Sequence, residues 1–195
     1  VIRGAVFVAV LLSLLPLTPA LAYDAEAGKQ KAASCVACHG EGGNSTNPTA
    51  PSLAGQWNDY VVLALYQFRA KHRPSPVMDP IAVPLKDDDL GNLAAYYSTQ
   101  PKWKPLRQSS ADALAKGPDI ARAKNCVQCH TPTLAGQDSV PRIAGQHIDY
   151  LTAQLRAFRA GNRGDIDGNM TSAASTLTDA DIATLADYIS GLSAP

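Results

Sequence analysis

All four cysteines of this chain fall in two copies of one short pattern, Cys35-Val36-Ala37-Cys38-His39 and Cys126-Val127-Gln128-Cys129-His130. Two thiols a helical turn apart can each add to one of the two vinyl groups on one edge of a haem. The adjacent histidine then lies under the iron as its proximal ligand. The covalent link retains the cofactor in a domain too small to enclose it. Other uses of cysteine fit the spacing less well. A zinc site made of two C-x-x-C pairs has them about 15–20 residues apart, whereas 87 residues lie between Cys38 and Cys126. A thioredoxin-like redox pair wants a βαβ context, and none is visible. Disulfides suit an exported protein but do not explain why His follows the second Cys both times.

A haem iron with a proximal His39 or His130 has one axial position left, and its occupant decides what the iron can do. Beyond the N-terminal segment the chain has only two methionines: Met78 lies 39 residues after His39, and Met170 lies 40 after His130, each expected in the loop preceding the last helix of its copy. A lone Met usually fills a core; repetition at matched sites favours axial ligation. Thioether sulfur is a soft, neutral ligand that favours ferrous iron, so a His/Met pair raises the reduction potential. With both axial positions filled by the protein, no substrate reaches the metal. The site residues expected on this reading are Cys35, Cys38, His39 and Met78, then Cys126, Cys129, His130 and Met170. No residue is assigned a catalytic role. His72 and His147 are the other histidines; neither recurs as His in the second copy, which favours surface or domain-contact roles.

The elements that hold these groups repeat as well. Pro51-Ser52-Leu53-Ala54-Gly55-Gln56 returns as Pro141-Arg142-Ile143-Ala144-Gly145-Gln146, with Tyr60 matching Tyr150, Phe68-Arg69 matching Phe158-Arg159, and Arg73 matching Arg163. Leu90, Leu93, Ala94 and Tyr97, and Ile182, Leu185, Ala186 and Ile189, keep the i, i+3, i+4, i+7 spacing of a helix with one buried face. Each thus marks a C-terminal helix, the first opened by Asp87-Asp88-Asp89 and the second N-capped by Thr178. Middle helices are expected from about Asn58 to Lys71 and from about Ile148 to Ala160, with Gly161 as C' residue. A third helix precedes each Cys motif, clear over 25–34 but doubtful before Cys126, where Gly117-Pro118 would break it. No period-two alternation persists, so the fold class is all-α. Two domains are expected, 23–104 and 105–195, joined by a linker at about 98–110 around Gln100-Pro101-Lys102-Trp103-Lys104-Pro105. Trp103 either pins this linker to a domain or covers an apolar patch.

Composition limits the alternatives. The 195 residues carry 17 Lys plus Arg against 17 Asp plus Glu, with no basic run, which argues against nucleic-acid binding. Hydrophobic content of 46% with 17% charge excludes a wholly disordered chain. Residues 1–22 read as a signal peptide: Arg3, an apolar run from Ala5 to Leu15, Pro16 and Pro19, then Ala20-Leu21-Ala22. The run is shorter than the roughly 20 residues of a spanning helix. Cleavage would leave a soluble, exported chain of net charge about −1, because only Arg3 is lost from the charged set. Aromatic residues are only 6%, few large side chains for two small cores, so the haems themselves are expected to complete the packing.

With these motifs in order twice, the chain resembles the class I cytochromes c, and specifically the tandem dihaem proteins of the cytochrome c4 family. The shared features are C-x-x-C-H, P-x-L-A-G-Q, Tyr, Phe and Arg on a helix, Met, and D-x-D before L-A-x-Y. The resemblance implies two class I cytochrome c domains, each a few helices around a covalent haem. It implies a periplasmic carrier, loosely associated with the inner membrane, passing electrons from a quinol-oxidising complex or dehydrogenase to a terminal oxidase. It also implies that the carbonyls of Pro51 and Pro141 accept a hydrogen bond from the proximal His, and that Tyr60, Tyr150, Arg73 and Arg163 lie near haem propionates or domain contacts. The alternative function is a dihaem electron-accepting subunit of a periplasmic dehydrogenase, such as a flavocytochrome sulfide dehydrogenase. A stand-alone peroxidase would be larger and would keep one iron open. The copies differ in three places: Lys71 stands for Gly161, Thr131-Pro132-Thr133 replaces part of Gly40-Glu41-Gly42-Gly43, and two extra residues precede Met170. Loop geometry and haem exposure, and with them the two potentials, are expected to differ.

Overall fold

The computed structural model describes residues 23–193; the expected leader, residues 1–22, lies outside them. The described chain is helical, with one isolated bridge between Gln137 and Val140 and no named strand. The first unit contains α1 (Ala25–Ala32), α2 (Val36–His39), α3 (Asn58–Arg69), α4 (Met78–Ala82) and α5 (Asp87–Thr99). The second contains α6 (Ala111–Ala123), α7 (Cys126–His130), α8 (Ile148–Arg159), α9 (Asn169–Ser175) and α10 (Asp179–Ser190).

Helix starts follow their caps. The Asp24 carboxylate accepts from the Glu26 and Ala27 amides at 2.8 and 3.1 Å, and Ser110 Oγ accepts from Ala113 N at 3.2 Å. Thr178 and Asp181 form a reciprocal capping box, 3.0 and 2.9 Å, which satisfies two amides that helix geometry leaves orphaned. In each unit the first helix packs on the last, α1 on α5 and α6 on α10, while α3 and α8 pack on the same partners. The buried face of α10 is Ile182, Leu185, Ala186 and Ile189, the set that periodicity marks. On α5 it is Leu90, Leu93, Ala94, Tyr96 and Tyr97.

Two local expectations need correction. α6 runs unbroken through Gly117 and Pro118. Its tertiary crossing with α10 requires glycine at 117, as an added Cβ would lie 2.4 Å from the Tyr188 Cβ. Packing thus overrides the low propensity of Gly-Pro. The methionines sit in short helices, not loops: Met78 opens α4 and Met170 is the second residue of α9. Pro80 fits α4 because a first-turn residue has no intrahelical acceptor for the N–H it lacks.

Between Thr99 and Ala111 the chain crosses from one unit to the other. Trp103 is buried and its Nε1 donates to Ala144 O at 3.0 Å, so the connecting segment is pinned to the second unit.

Candidate cofactor sites and the surface between them

His39 ends α2 and His130 ends α7, and both are buried. His39 Nδ1 lies 2.8 Å from Pro51 O, and His130 Nδ1 lies 2.9 Å from Pro141 O. A carbonyl only accepts, so Nδ1 carries the proton in each ring, and Nε2 keeps its lone pair. Burial lowers the pKa of both imidazoles, against the smaller opposing effect of the proline carbonyls. The rings are therefore neutral, the state a metal requires. All four thiols are free, with Cys38 and Cys129 exposed.

The turn after each histidine keeps one shape from different residues. Gly40 has φ 74° and ψ 169°, and Thr131 has φ 70° and ψ 161°. Three residues on, Gly43 O accepts from Leu53 N and Ala54 N at 2.7 and 3.1 Å, while Leu134 O accepts from Ile143 N and Ala144 N, both at 3.0 Å. Leu134, like Gly43, has positive φ. The expected change of loop geometry is thus absent from this hydrogen-bond frame, and the difference is stored as backbone strain.

A methionine segment follows the middle helix of each unit, tied at its far end by the arginine that closes that helix. Arg69 donates to Leu85 O and Asp87 at 3.0 and 2.6 Å, and Arg159 to Leu177 O and Asp179 at 3.1 and 2.7 Å. Met78 N donates to Ser75 Oγ at 3.1 Å, whereas Met170 N donates to Asp165 Oδ2 at 2.6 Å. Both methionines are partly buried.

The units meet across a pseudo-two-fold surface. The Gln56 side chain takes the Arg142 amide and carbonyl at 2.8 and 3.0 Å, and Gln146 takes those of Ser52 at 3.0 and 3.1 Å. Trp57 Nε1 donates to Ala135 O at 2.8 Å, and the backbone amide of its counterpart His147 donates to Gln146 Oε1 at 3.1 Å. Arg73 donates to Tyr150 OH at 2.7 Å and to Gln154 at 3.0 Å, while Tyr60 lies within the field of Arg73 and Arg163. Burial alone would raise the Tyr60 pKa, but the two guanidiniums outweigh it and the net shift is downward. Arg73 and Arg163 are thus buried domain contacts, and His147 lies on the same surface. His72 is exposed beside Tyr66, their ring centroids 6.1 Å apart.

Sequence reasoning assigned no role to Gln56, Gln146, Arg142 or Asp165. The repeat of P-x-L-A-G-Q marked the glutamines but not their partners. Arg142 is 3% exposed and its NH1 has no partner; nor has Arg163 Nε. Among the described residues no carboxylate forms an ion pair with Arg73, Arg142 or Arg163. Free thiol pairs, Nε2-presenting imidazoles, matched thioethers and buried cations lacking an anion fit a haem, which brings two carboxylates, in each unit.

The cytochrome c family model matches residues 25–100 and 114–193. Cytochrome c4 of Thiocapsa roseopersicina is 39% identical over 182 residues, covering 87% of this chain and 93% of the relative. The crystal structure of reduced recombinant cytochrome c4 from Pseudomonas stutzeri superposes with a TM-score of 0.80 at 36% identity, covering 87% and 99% of the two chains. A thiosulfate dehydrogenase electron acceptor of Thiomonas intermedia is 35% identical over 175 residues, covering 84% and 80%.

Proposed function

We propose, from the premise that this chain belongs to the cytochrome c family and is a dihaem electron carrier of the cytochrome c4 kind, that it works in the periplasm. There it would take electrons from a quinol-oxidising complex or a dehydrogenase and deliver them to a terminal oxidase. The chain is not an enzyme, and it binds two covalently attached haem c groups. We assign residues 23–104 and 105–195 to the two domains, Cys35, Cys38, Cys126 and Cys129 to the thioether links, and His39/Met78 and His130/Met170 to the two irons. When bound, each haem supplies a one-electron couple.

The observation that carries this reading is the doubled donor set: in each unit an imidazole oriented by a proline carbonyl and a methionine whose backbone amide is anchored by a side chain. The proline carbonyls fix ring orientation and strengthen the histidine as a donor. Met78 and Met170 would supply the second protein donor to each iron and leave no position open to substrate. Export is supported by the leader-like N-terminus, and no described helix is long and apolar enough to cross a membrane. A second reading, service as the electron acceptor of a dehydrogenase, is favoured by the Thiomonas relative, whose name carries that role.

The native protein should show the far-red absorption of a ferric iron–methionine sulfur bond at full two-haem intensity. Met78→Ala and Met170→Ala should each remove about half of it and lower one potential by at least the ~59 mV of a tenfold change in a one-electron equilibrium. An absent band, or variants that change neither quantity, would overturn the ligand assignment. Purification with a stoichiometric dehydrogenase subunit would favour the second reading over a free shuttle.

A further inference from the structure

The two methionine segments are anchored by different chemistry. In the first unit four residues separate Arg73 from Met78, and the Met78 amide is met by the neutral hydroxyl of Ser75 at 3.1 Å. The nearby carboxylate of Asp79 is turned to Ser75 N, 3.0 Å away. In the second unit six residues separate Arg163 from Met170, and the longer segment brings a carboxylate to the methionine itself. Asp165 Oδ2 accepts from Met170 N at 2.6 Å, while Oδ1 accepts from Thr171 N at 3.2 Å and from Thr171 Oγ1 at 2.5 Å. Gly168, at φ 72°, lets the chain turn back between these partners. Both oxygens of one partly buried carboxylate are thus committed to Met170 and its neighbour Thr171.

We propose that Asp165 is a positioning residue for the axial sulfur of Met170, giving the second centre a charged clamp where the first has a neutral one. A carboxylate–amide bond is shorter and roughly twice as strong as a neutral pair. Two oxygens gripping consecutive residues fix the direction in which the Met170 side chain leaves the backbone, and the inserted residues supply the reach. The inference rests on the reading of Met170 as an axial ligand. An ordinary helix cap would make the same hydrogen bonds, but removing it would change stability alone.

The test uses the full-length dihaem protein. Asp165→Ala should lower the far-red band towards half its two-haem intensity and shift one of the two potentials while leaving the other in place. Asp165→Asn, which keeps one acceptor oxygen, should retain the band but bind added imidazole at one ferric haem about tenfold more tightly than the native protein does. Ser75→Ala should produce a smaller change at the other haem. If Asp165→Ala keeps the full band and both potentials, with only its unfolding midpoint lowered, Asp165 is a cap and the proposal fails. Should Asp165→Ala not fold, unchanged imidazole affinity and potentials in Asp165→Asn overturn it equally. Met170→Ala separates the two claims: an undiminished band there removes the ligand assignment itself, whereas a halved band beside inert Asp165 variants removes only the positioning role.

Discussion

At Thr131 and Lys71 the chain puts side-chain-bearing residues into backbone conformations that the other unit gives to glycine. Thr131, at φ 70° and ψ 161°, corresponds to Gly40, and Lys71, at φ 58°, corresponds to Gly161 at φ 70°. The Thr131 region is nearly exclusive to glycine, with a cost of about 1–3 kcal/mol, aggravated by its branched β-carbon. The left-handed helical region of Lys71 costs about 1–2 kcal/mol. Introducing glycine loosens the unfolded chain by about 0.5–1 kcal/mol. The balance favours substitution at both sites: Lys71→Gly should stabilise by up to about 1 kcal/mol and Thr131→Gly by about 1–2 kcal/mol. Urea unfolding of the dihaem protein measures this, and lower midpoints in both variants would show that the strain is absorbed elsewhere. The reverse exchange is not symmetrical. A Cβ on Gly40 would lie 2.0 Å from Asn44 O, while one on Gly161 meets nothing within 4 Å. Gly161→Ala should therefore cost only its backbone term.

Between helices, glycine acts through space and not through φ. Gly28 on α1 and Gly117 on α6 stand at matching places, each where the first helix of a unit crosses the last. A Cβ at 28 would lie 1.9 Å from the backbone oxygen of Asn92, and one at 117 would lie 2.4 Å from both Cβ and Cγ of Tyr188. No rotamer change moves a backbone oxygen or a Cβ, so the crossing itself must open. Gly28→Ala and Gly117→Ala should each destabilise by about 3 kcal/mol, the upper end of overpacking penalties, with Gly28→Ala at least as severe. Thermal unfolding checks this, and near-native midpoints would mean that the crossings are loose. The same pair shows what the sequence could reveal of the fold. The apolar stripes of α5 and α10 were legible because burial repeats with the helical period. Gly117-Pro118 looked like a break because propensity is local, whereas the reason for glycine there lies 71 residues away in Tyr188. The histidine and methionine motifs were legible from repetition. Asp165 was not, because its counterpart at the offset of the arginines is Ser75, a different side chain, and its partners are mostly backbone amides.

Across the whole molecule, the repeat announced two similar units but not how they face. Tandem copies can stack head to tail or turn about a two-fold axis, and only the contacts distinguish these arrangements. Here residue 56 meets residue 142 and residue 146 meets residue 52, with each pair related to the other by an offset of 90. That is an isologous contact inside one chain. All four residues are 3% exposed, so removing either glutamine strands an amide and a carbonyl in a dry interface. Each stranded group costs about 1–3 kcal/mol where water cannot reach it. Gln56→Ala or Gln146→Ala should therefore destabilise by a few kcal/mol, far more than an exposed glutamine would. The second loss should cost less than the first, because both pairs hold the same surface and the first opening admits water to the other. Denaturation of the single and double variants, followed by haem absorbance and by circular dichroism, tests both points. The double variant should unfold in two steps as the units become independent, while a single transition with additive losses would mean that the arginine–tyrosine contacts and the Trp103 anchor suffice to hold the units together.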